Sequence, residues 1–308
     1  MMPLLFQVHQ HKVFPNDIEY AAIQRVRKKI LLTDCSKRTR EDVFPRGSSQ
    51  TVGIHAGTFG NIIVSDKHQL LYCATPKIAC TNWKRVFLVL EGYCNNTKDI
   101  KSSFAHNQST GFLKRLSDYS PREITFRLSS YYKFLFVRHP FERLVSAYKN
   151  KFIDSKYTIF RETYGRYIMK KYRKKGKSPD SIVRVNGTIM TFKEFANFIV
   201  DSPIDDKDFW NEHWERIDRI CHPCLLSYDF IGKLETLGRD SDYLLRSLEL
   251  SDKVQFPINQ TEKRSPYPSS RYLTETYIQE LPIHITKKLV KLFKHDFQMF
   301  NYKPTEIN

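Results

Sequence analysis

A chain of 308 residues with 41% hydrophobic and 14% aromatic residues can bury a sizeable core, as one large domain or two small ones, which excludes a disordered chain. Its formal charge of +17 is spread over clusters at Arg25–Lys29, Lys37–Arg40, Lys149–Lys151 and Lys170–Lys177, so the surface should attract polyanions: nucleic acid, acidic polysaccharide or anionic lipid. No stretch reaches the ~20 apolar residues that span a bilayer, and the opening MMPLLFQV has neither the basic start nor the apolar length of a signal peptide.

In chain order, residues 17–32 (DIEYAAIQRVRKKILL) have helical spacing with a basic face, and Asp17 can cap the helix. Residues 36–56 are polar and contain Gly and Ser, as expected of a connector. The predicted organisation is therefore a helical, stem-like segment over 1–58 and a main domain over 59–308. NIIVSD (61–66) and QLLYCAT (69–75) read as strands, and NWKRVFLVLEG (82–92) reads as a helix ended by Gly92. PREITFRLSSY (121–131) is a helix, KFLFVR (133–138) a buried strand, and PFERLVSAYKNKF (140–152) a helix with Pro140 in its first turn. NEHWERIDRI (211–220) reads as a helix, YDFIGKLE (228–235) as a strand, and HITKKLVKLFKHDFQMF (284–300) as a closing amphipathic helix. Short apolar strands separated by helices predict an α/β fold: a single three-layer domain with a central parallel sheet covered on both faces.

Six cysteines are too few for a disulfide scaffold at this length. CHPC at 221–224 follows a predicted helix, late in the chain, and has no second Cys-x-x-Cys beside it. Both placements argue against a redox motif or a zinc site and for structural disulfides or buried thiols. Asn-x-Ser/Thr sequons at Asn95, Asn107, Asn186 and Asn259 favour passage through a secretory-pathway lumen.

Two predicted strand-to-helix junctions carry anion-binding chemistry, because helix starts present free backbone N–H groups at the carboxyl ends of strands. The first is TPKIACTNW: Pro76 turns the chain, Lys77 supplies a cation, and Thr81 lies near the helix start. It is P-loop-like in outline, although it has no glycine and no Walker A pattern. The second is FVRHPFERLVSAY, where Arg138 ends a strand and Ser146 lies about two turns into the next helix. An Arg fork plus a hydroxyl grips a phosphate well. Two such loops on one sheet suit a nucleotide with phosphates at both ends.

These residues resemble the Golgi carbohydrate sulfotransferases. PKIACTNWKR resembles their 5′-phosphosulfate loop and FVRHPFERLVSAYKNKF their 3′-phosphate loop. The similarity continues in order through YGRYIMKKYRK, FWNEHW, CHPCLLSYDFIGKLETL and DFQMFNY, covering roughly residues 60 to 302. The branch is that of the chondroitin 4-O-, dermatan 4-O- and HNK-1 sulfotransferases, and the wording is most like the chondroitin 4-O enzymes. His139 departs from the pattern, which has an acidic residue there.

The resemblance implies the donor 3′-phosphoadenylyl sulfate (PAPS), whose sulfuryl group passes in line to a sugar hydroxyl, with no metal. It implies donor contacts from Lys77, Ala79, Cys80, Thr81, Asn82, Trp83, Arg138 and Ser146, with Lys77 also stabilising the leaving phosphate. The acceptor hydroxyl needs a base that titrates near neutrality, which suits histidine. His106 is favoured, since it falls between the two loops like the base of uronyl 2-O-sulfotransferases; His213, and behind it Glu212, remain alternatives. His68, His139 and His222 are expected to be structural. A glycan on Asn107 would crowd His106, so either that sequon is unused or the base lies elsewhere.

The implied acceptor is an acidic, chondroitin-like glycosaminoglycan, with Lys149, Lys151, Arg166, Lys170, Lys171 and Arg173 along its track and Trp214 stacked on a sugar face. Acceptors of the same branch (dermatan, terminal N-acetylgalactosamine, HNK-1 glucuronate) stay open. The implied location is the Golgi lumen, at the membrane through an N-terminal anchor that these residues do not display. A basic nucleic-acid-binding protein would explain the charge but not the paired loops. A P-loop phosphotransferase would need the Walker A residues and a magnesium carboxylate.

Overall fold

The computed structural model describes residues 15–39, 56–154, 159–173, 190–202, 210–258 and 270–304. The sequons at Asn186 and Asn259 lie outside these residues. Four strands form one sheet in the order β1 (Ile62–Ser65), β2 (Leu70–Cys73), β3 (Tyr132–Val137) and β4 (Phe230–Lys233). β2, β3 and β4 run parallel, whereas β1 pairs antiparallel with β2, Ile62 facing Cys73. The all-parallel sheet expected from the sequence is therefore corrected to a mixed one. The reason is length: only residues 66–69 join β1 to β2, enough for a hairpin but far short of the crossover that a parallel pair needs. Gln69 closes that turn at φ 54°.

Every residue of β1 and β2, and the last four of β3, is buried, so both faces of the sheet are covered. Tyr72 stacks on Phe134 at 4.9 Å, and Trp83 packs on Phe134, Phe136 and Phe256 at centroid distances of 4.9–5.1 Å. Phe136 lies across β4 because position 232 is glycine: a Cβ there would come within 2.2 Å of its ring.

The helices in chain order are α1 (Pro15–Cys35), α2 (Cys80–Leu90), α3 (Ser102–Ala105), α4 (Pro121–Ser130), α5 (Pro140–Tyr148), α6 (Arg166–Tyr172), α7 (Phe192–Asp201), α8 (Ile217–Cys221), α9 (Leu237–Ser247), α10 (Ser270–Gln279), α11 (Ile283–Leu292) and α12 (Lys294–Met299). None of them is long and apolar enough to cross a membrane. Local signals set several boundaries. Ser120 and Glu123 form a capping box at the start of α4, as Thr191 and Glu194 do at α7. Gly92, at φ 85°, follows the end of α2 in the left-handed conformation that glycine adopts freely. α1 shields the outer edge of the sheet: the Gln24 amide donates to the Ile231 carbonyl (3.2 Å) and accepts from its N–H (3.0 Å). Arg27 adds a bond to the same carbonyl and an ion pair to buried Asp240 at 2.9 Å. An edge strand that would otherwise expose free backbone groups is thus closed by a side-chain amide.

Three helix expectations need correction. The helix expected over 140–152 is α-helical only to Tyr148 and continues as a π-turn, Lys149–Ile153. The helix expected over 211–220 is confined to α8, because residues 210–216 form turns in which Trp214 N–H and Glu215 N–H both donate to the Asn211 carbonyl. The closing helix divides at Phe293 (φ −93°, ψ 14°) into α11 and α12. On α12, Asp296 accepts the first free N–H groups of α8, from Ile217 (2.9 Å) and Asp218 (3.1 Å). Full burial and the charge of Asp218 push the Asp296 carboxyl up to about 7.

Two disulfides, Cys35–Cys224 and Cys73–Cys221, tie the end of α1 and the end of β2 to the CHPC stretch. Each CHPC cysteine has a distant partner, so the pair is structural. Cys80 and Cys94 are free thiols.

Candidate active site

β2 ends at Cys73, and the chain runs through Thr75 and Pro76 into α2. Lys77 (φ 70°) and Ala79 (φ 53°) both take left-handed backbone. Non-glycine residues in that region are strained, and such strain concentrates at functional sites. The sharp reversal that glycine usually supplies is here imposed on a lysine and an alanine. Ala79 is the N-cap of α2 and no side chain caps it, so the positive end of an 11-residue helix stays open to an anion.

Lys77 is half-buried and makes no ion pair among the described residues. Burial, then the charges of Arg138 and Lys151, push its pKa down to about 8. Lys84 and Lys151 are also lowered, chiefly by burial, with Glu212 the carboxylate that opposes the shift in both. A half-buried ammonium set against other cations is a site that gains when an anion arrives.

His106, next after α3, reaches this loop. Its Nε2 lies 2.8 Å from Thr81 Oγ1, and its Nδ1 lies 3.2 Å from Lys84 Nζ. A protonated lysine can only donate, so Nδ1 accepts and Nε2 carries the ring proton toward Thr81. Partial burial, then Lys84, Lys151 and Arg85, push the His106 pKa down to about 4. His213 is half-buried, edge-on to Phe160 at 5.7 Å, and its Nδ1 has no hydrogen-bond partner among the described residues. Burial, then Lys151, Lys77, Arg143 and His106, push its pKa down to about 2. Both histidines are neutral at physiological pH, and they share one neighbourhood with Lys77 and Lys151.

At the second loop, the Arg138 guanidinium meets Glu142 (3.3–3.4 Å), the Ser270 hydroxyl at the start of α10, and the Lys77 carbonyl at 3.2 Å. No hydrogen bond joins it to Ser146, which is half-buried two turns into α5. The two loops nevertheless touch, through Arg138 and the Lys77 carbonyl. The His139 N–H, at the start of α5, is taken by the Glu235 carboxylate at 2.9 Å.

Arg143, on α5, went unnoticed in the sequence. Fully buried, it donates to the carbonyls of Pro76 (3.1 Å), Glu212 (2.7 Å) and Glu215. One guanidinium thus fastens the Lys77 loop to the segment that carries His213. Lys84 was also missed, although its i, i+3 spacing from Thr81 puts both on one face of α2.

The surroundings of the remaining expected contact residues differ. Trp83 and Trp214 are each 1% exposed and belong to the core, so neither offers a ring face to nucleotide or sugar. The Asn82 amide holds the Pro257 carbonyl (2.9 Å) and Arg85 (2.8 Å). Arg173 is paired with Glu194 at 3.0 Å. Cys80 is buried, while Arg166 and Lys170 stand exposed on α6 and Lys149 is half-buried at the π-turn. His68, His139 and His222 each donate Nε2–H to a backbone carbonyl, of Leu90, Lys303 and Thr58 respectively. Asn95 and Asn107 are exposed.

Comparison with known proteins identifies the family. The family model described as "Sulfotransferase family" matches residues 60–303. The chain is 40% identical over 244 residues to carbohydrate sulfotransferase 11 of Rattus norvegicus, covering 79% of this chain and 67% of the relative. It is 35% identical over 311 residues to carbohydrate sulfotransferase 12 of Xenopus laevis, covering 94% and 71%. It is 36% identical over 287 residues to carbohydrate sulfotransferase 14 of Danio rerio, covering 93% and 73%. No solved structure matches. The matched residues include all four strands, both strand-to-helix loops and the closing helices: the chain belongs to the sulfotransferase family and is a sulfotransferase.

Proposed function

We propose that this enzyme transfers the sulfuryl group of PAPS to the 4-hydroxyl of N-acetylgalactosamine in chondroitin-type chains. The observation that carries the donor reading is Lys77: a half-buried ammonium without an ion-pair partner among the described residues, beside an uncapped helix start. The 5′ end of the donor fits there, with Lys77, the N–H groups of residues 79–82 and the Thr81 hydroxyl on its anionic oxygens. The 3′-phosphate fits at Arg138, with Ser146 as the second contact; binding there displaces Glu142 from the guanidinium. As the bridging bond to sulfur breaks, negative charge grows on the leaving phosphate and Lys77 stabilises it.

His106 is the base in this reading, and its hydrogen bonds impose a condition. While Lys84 donates to Nδ1 the ring has no free lone pair. An anion at the helix start draws the Lys84 ammonium away, Nδ1 becomes free, and it takes the acceptor's hydroxyl proton. His213, held neutral by burial and neighbouring cations, is the second candidate. The two disulfides and the exposed sequon at Asn95 support a secretory-pathway lumen, in keeping with a Golgi enzyme, and with His106 as base the Asn107 sequon stays unused. The acceptor is an acidic glycan, and neither nucleic acid nor a metal has a part in this reading.

The test is incubation of the purified protein with radiolabelled donor and desulfated chondroitin, followed by disaccharide analysis. Label in 4-sulfated N-acetylgalactosamine is expected; label only in dermatan, terminal N-acetylgalactosamine or glucuronate products moves the enzyme within its branch. His106→Ala should lower kcat by at least ~100-fold with donor affinity retained. The same loss in His213→Ala, with His106→Ala near normal, transfers the role to His213.

A further inference from the structure

Between α2 and α4 the chain makes an excursion, residues 93–113, with a small core of its own: Leu88, Ile100 and Ala105, flanked by Cys94, Phe112 and Leu113. Aromatic rings lie on its surface. Tyr93 and Phe112 stack at 4.2 Å with an interplanar angle of 16°, and Phe104 lies 5.9 Å from Phe112. Tyr93 is 48% exposed and Phe104 38%, so the group leaves ring surface open to solvent. Phe104 sits two residues before His106. Beside them is a cavity lined by Lys84, His106, Asn107, Gln108 and Arg115, with apolar side chains completing the wall and no carboxylate in it. Lys98 and Lys101, both exposed, flank the same stretch.

Rings with open faces, paired with amides and cations and with Asp99, held by Asn96, as the one carboxylate of the stretch, match an acidic glycan. The axial hydroxyl of a galactose-configured sugar leaves one apolar C–H face, which packs on an aromatic ring. Uronate carboxylates take lysine and arginine, and ring hydroxyls and the acetamido group take Asn and Gln amides. We propose that the 93–113 excursion, with Lys84 and Arg115, is the acceptor-binding subsite. Tyr93 and Phe104 stack on the N-acetylhexosamine, which brings its 4-hydroxyl to the His106 side, and Lys98 and Lys101 meet the acidic neighbour. This rests on the proposed function for the direction of transfer, not for the binding itself. It moves the acceptor from α6 and Trp214, where the sequence directed attention, to the face of α2 that carries Thr81 and Lys84.

The experiment separates binding from turnover. Binding of a desulfated chondroitin hexasaccharide to the whole chain is measured calorimetrically in the presence of adenosine 3′,5′-bisphosphate, alongside KM and kcat. Tyr93→Ala and Phe104→Ala should each weaken hexasaccharide binding and raise KM roughly tenfold, with affinity for the bisphosphate unchanged. Tyr93→Phe and Phe104→Tyr, which keep the ring, should restore both. Unchanged hexasaccharide affinity in the Tyr93→Ala, Phe104→Ala double variant, with normal bisphosphate binding, overturns the subsite. So does loss of single-stranded RNA binding in that variant without loss of glycan binding. If the wild type binds the hexasaccharide through these rings but transfers no sulfate, the subsite stands and the proposed reaction falls.

Discussion

In the proposed reaction the two strand-to-helix loops do the same job by opposite means. At the first, cations are brought together without a compensating acid: Lys77 has no ion pair among the described residues, and the start of α2 is uncapped. At the second, the positive groups are already occupied, Arg138 by Glu142 and Ser270, and the start of α5 by Glu235. The first loop holds unfavourable electrostatic energy that an anion relieves. The second is preassembled and, in the proposed reaction, releases one of its own acids when phosphate binds. Affinity is therefore expected to depend mainly on the first loop and selectivity for a 3′-phosphate on the second.

The largest expected effect is at the first loop. Lys77→Met should cut kcat/KM by about 1,000-fold or more and yet stabilise the donor-free protein by about 1–2 kcal/mol. The sign follows from the lowered pKa. Between about 8 and the ordinary 10.5 the unfolded chain binds the extra proton, so stability rises through that window; below it the fold bears the whole penalty of the buried charge, which Met removes. A lower Tm for Lys77→Met would erase the contrast between the loops. Next, Arg138→Ala should weaken binding of adenosine 3′,5′-bisphosphate by roughly 100-fold, and it should also lower Tm, since it strands Glu142. Glu142→Gln should act in reverse, tightening the bisphosphate several-fold; weaker binding would mean that Glu142 is a support for Arg138 and not a competitor.

Only the first loop hangs from a disulfide-anchored strand. The Cys73→Ser, Cys221→Ser pair should lower stability by roughly 2–4 kcal/mol and raise KM for the donor more than removal of Cys35–Cys224 does. The smallest effect is in pH. His106 and His213 are held neutral in the fold, so the unfolded chain gains protons first as pH falls below 6.5. Stability should decline from pH 6.5 toward 4, and the decline should flatten in the His106→Ala, His213→Ala double variant.

Much of the fold was legible because local signals agreed. β1, β2 and β4 lie within predicted runs, β3 begins one residue before its run, and Gly92 marked the end of α2. The antiparallel direction of β1 was legible too, since the two residues between the runs 61–66 and 69–75 allow only a hairpin, and the parallel reading overlooked that length. The break at Phe293 was hidden because it serves Asp296, whose partners lie 78 and 79 residues away in sequence. In the site, Lys77, Thr81 and His106 stood out by type and position. Glu142, Ser270 and Arg143 did not, because their roles exist only where distant segments meet. Trp214 was misread for the opposite reason: a tryptophan beside charged residues looks like a binding surface until its 1% exposure is known.

Arg143 has a mechanical consequence. By holding Pro76, Glu212 and Glu215 together from inside the core, it couples the lysine loop to the His213 segment through a single side chain. A change at this one buried residue is therefore felt in both segments at once, although they are far apart in sequence and meet it through backbone carbonyls alone.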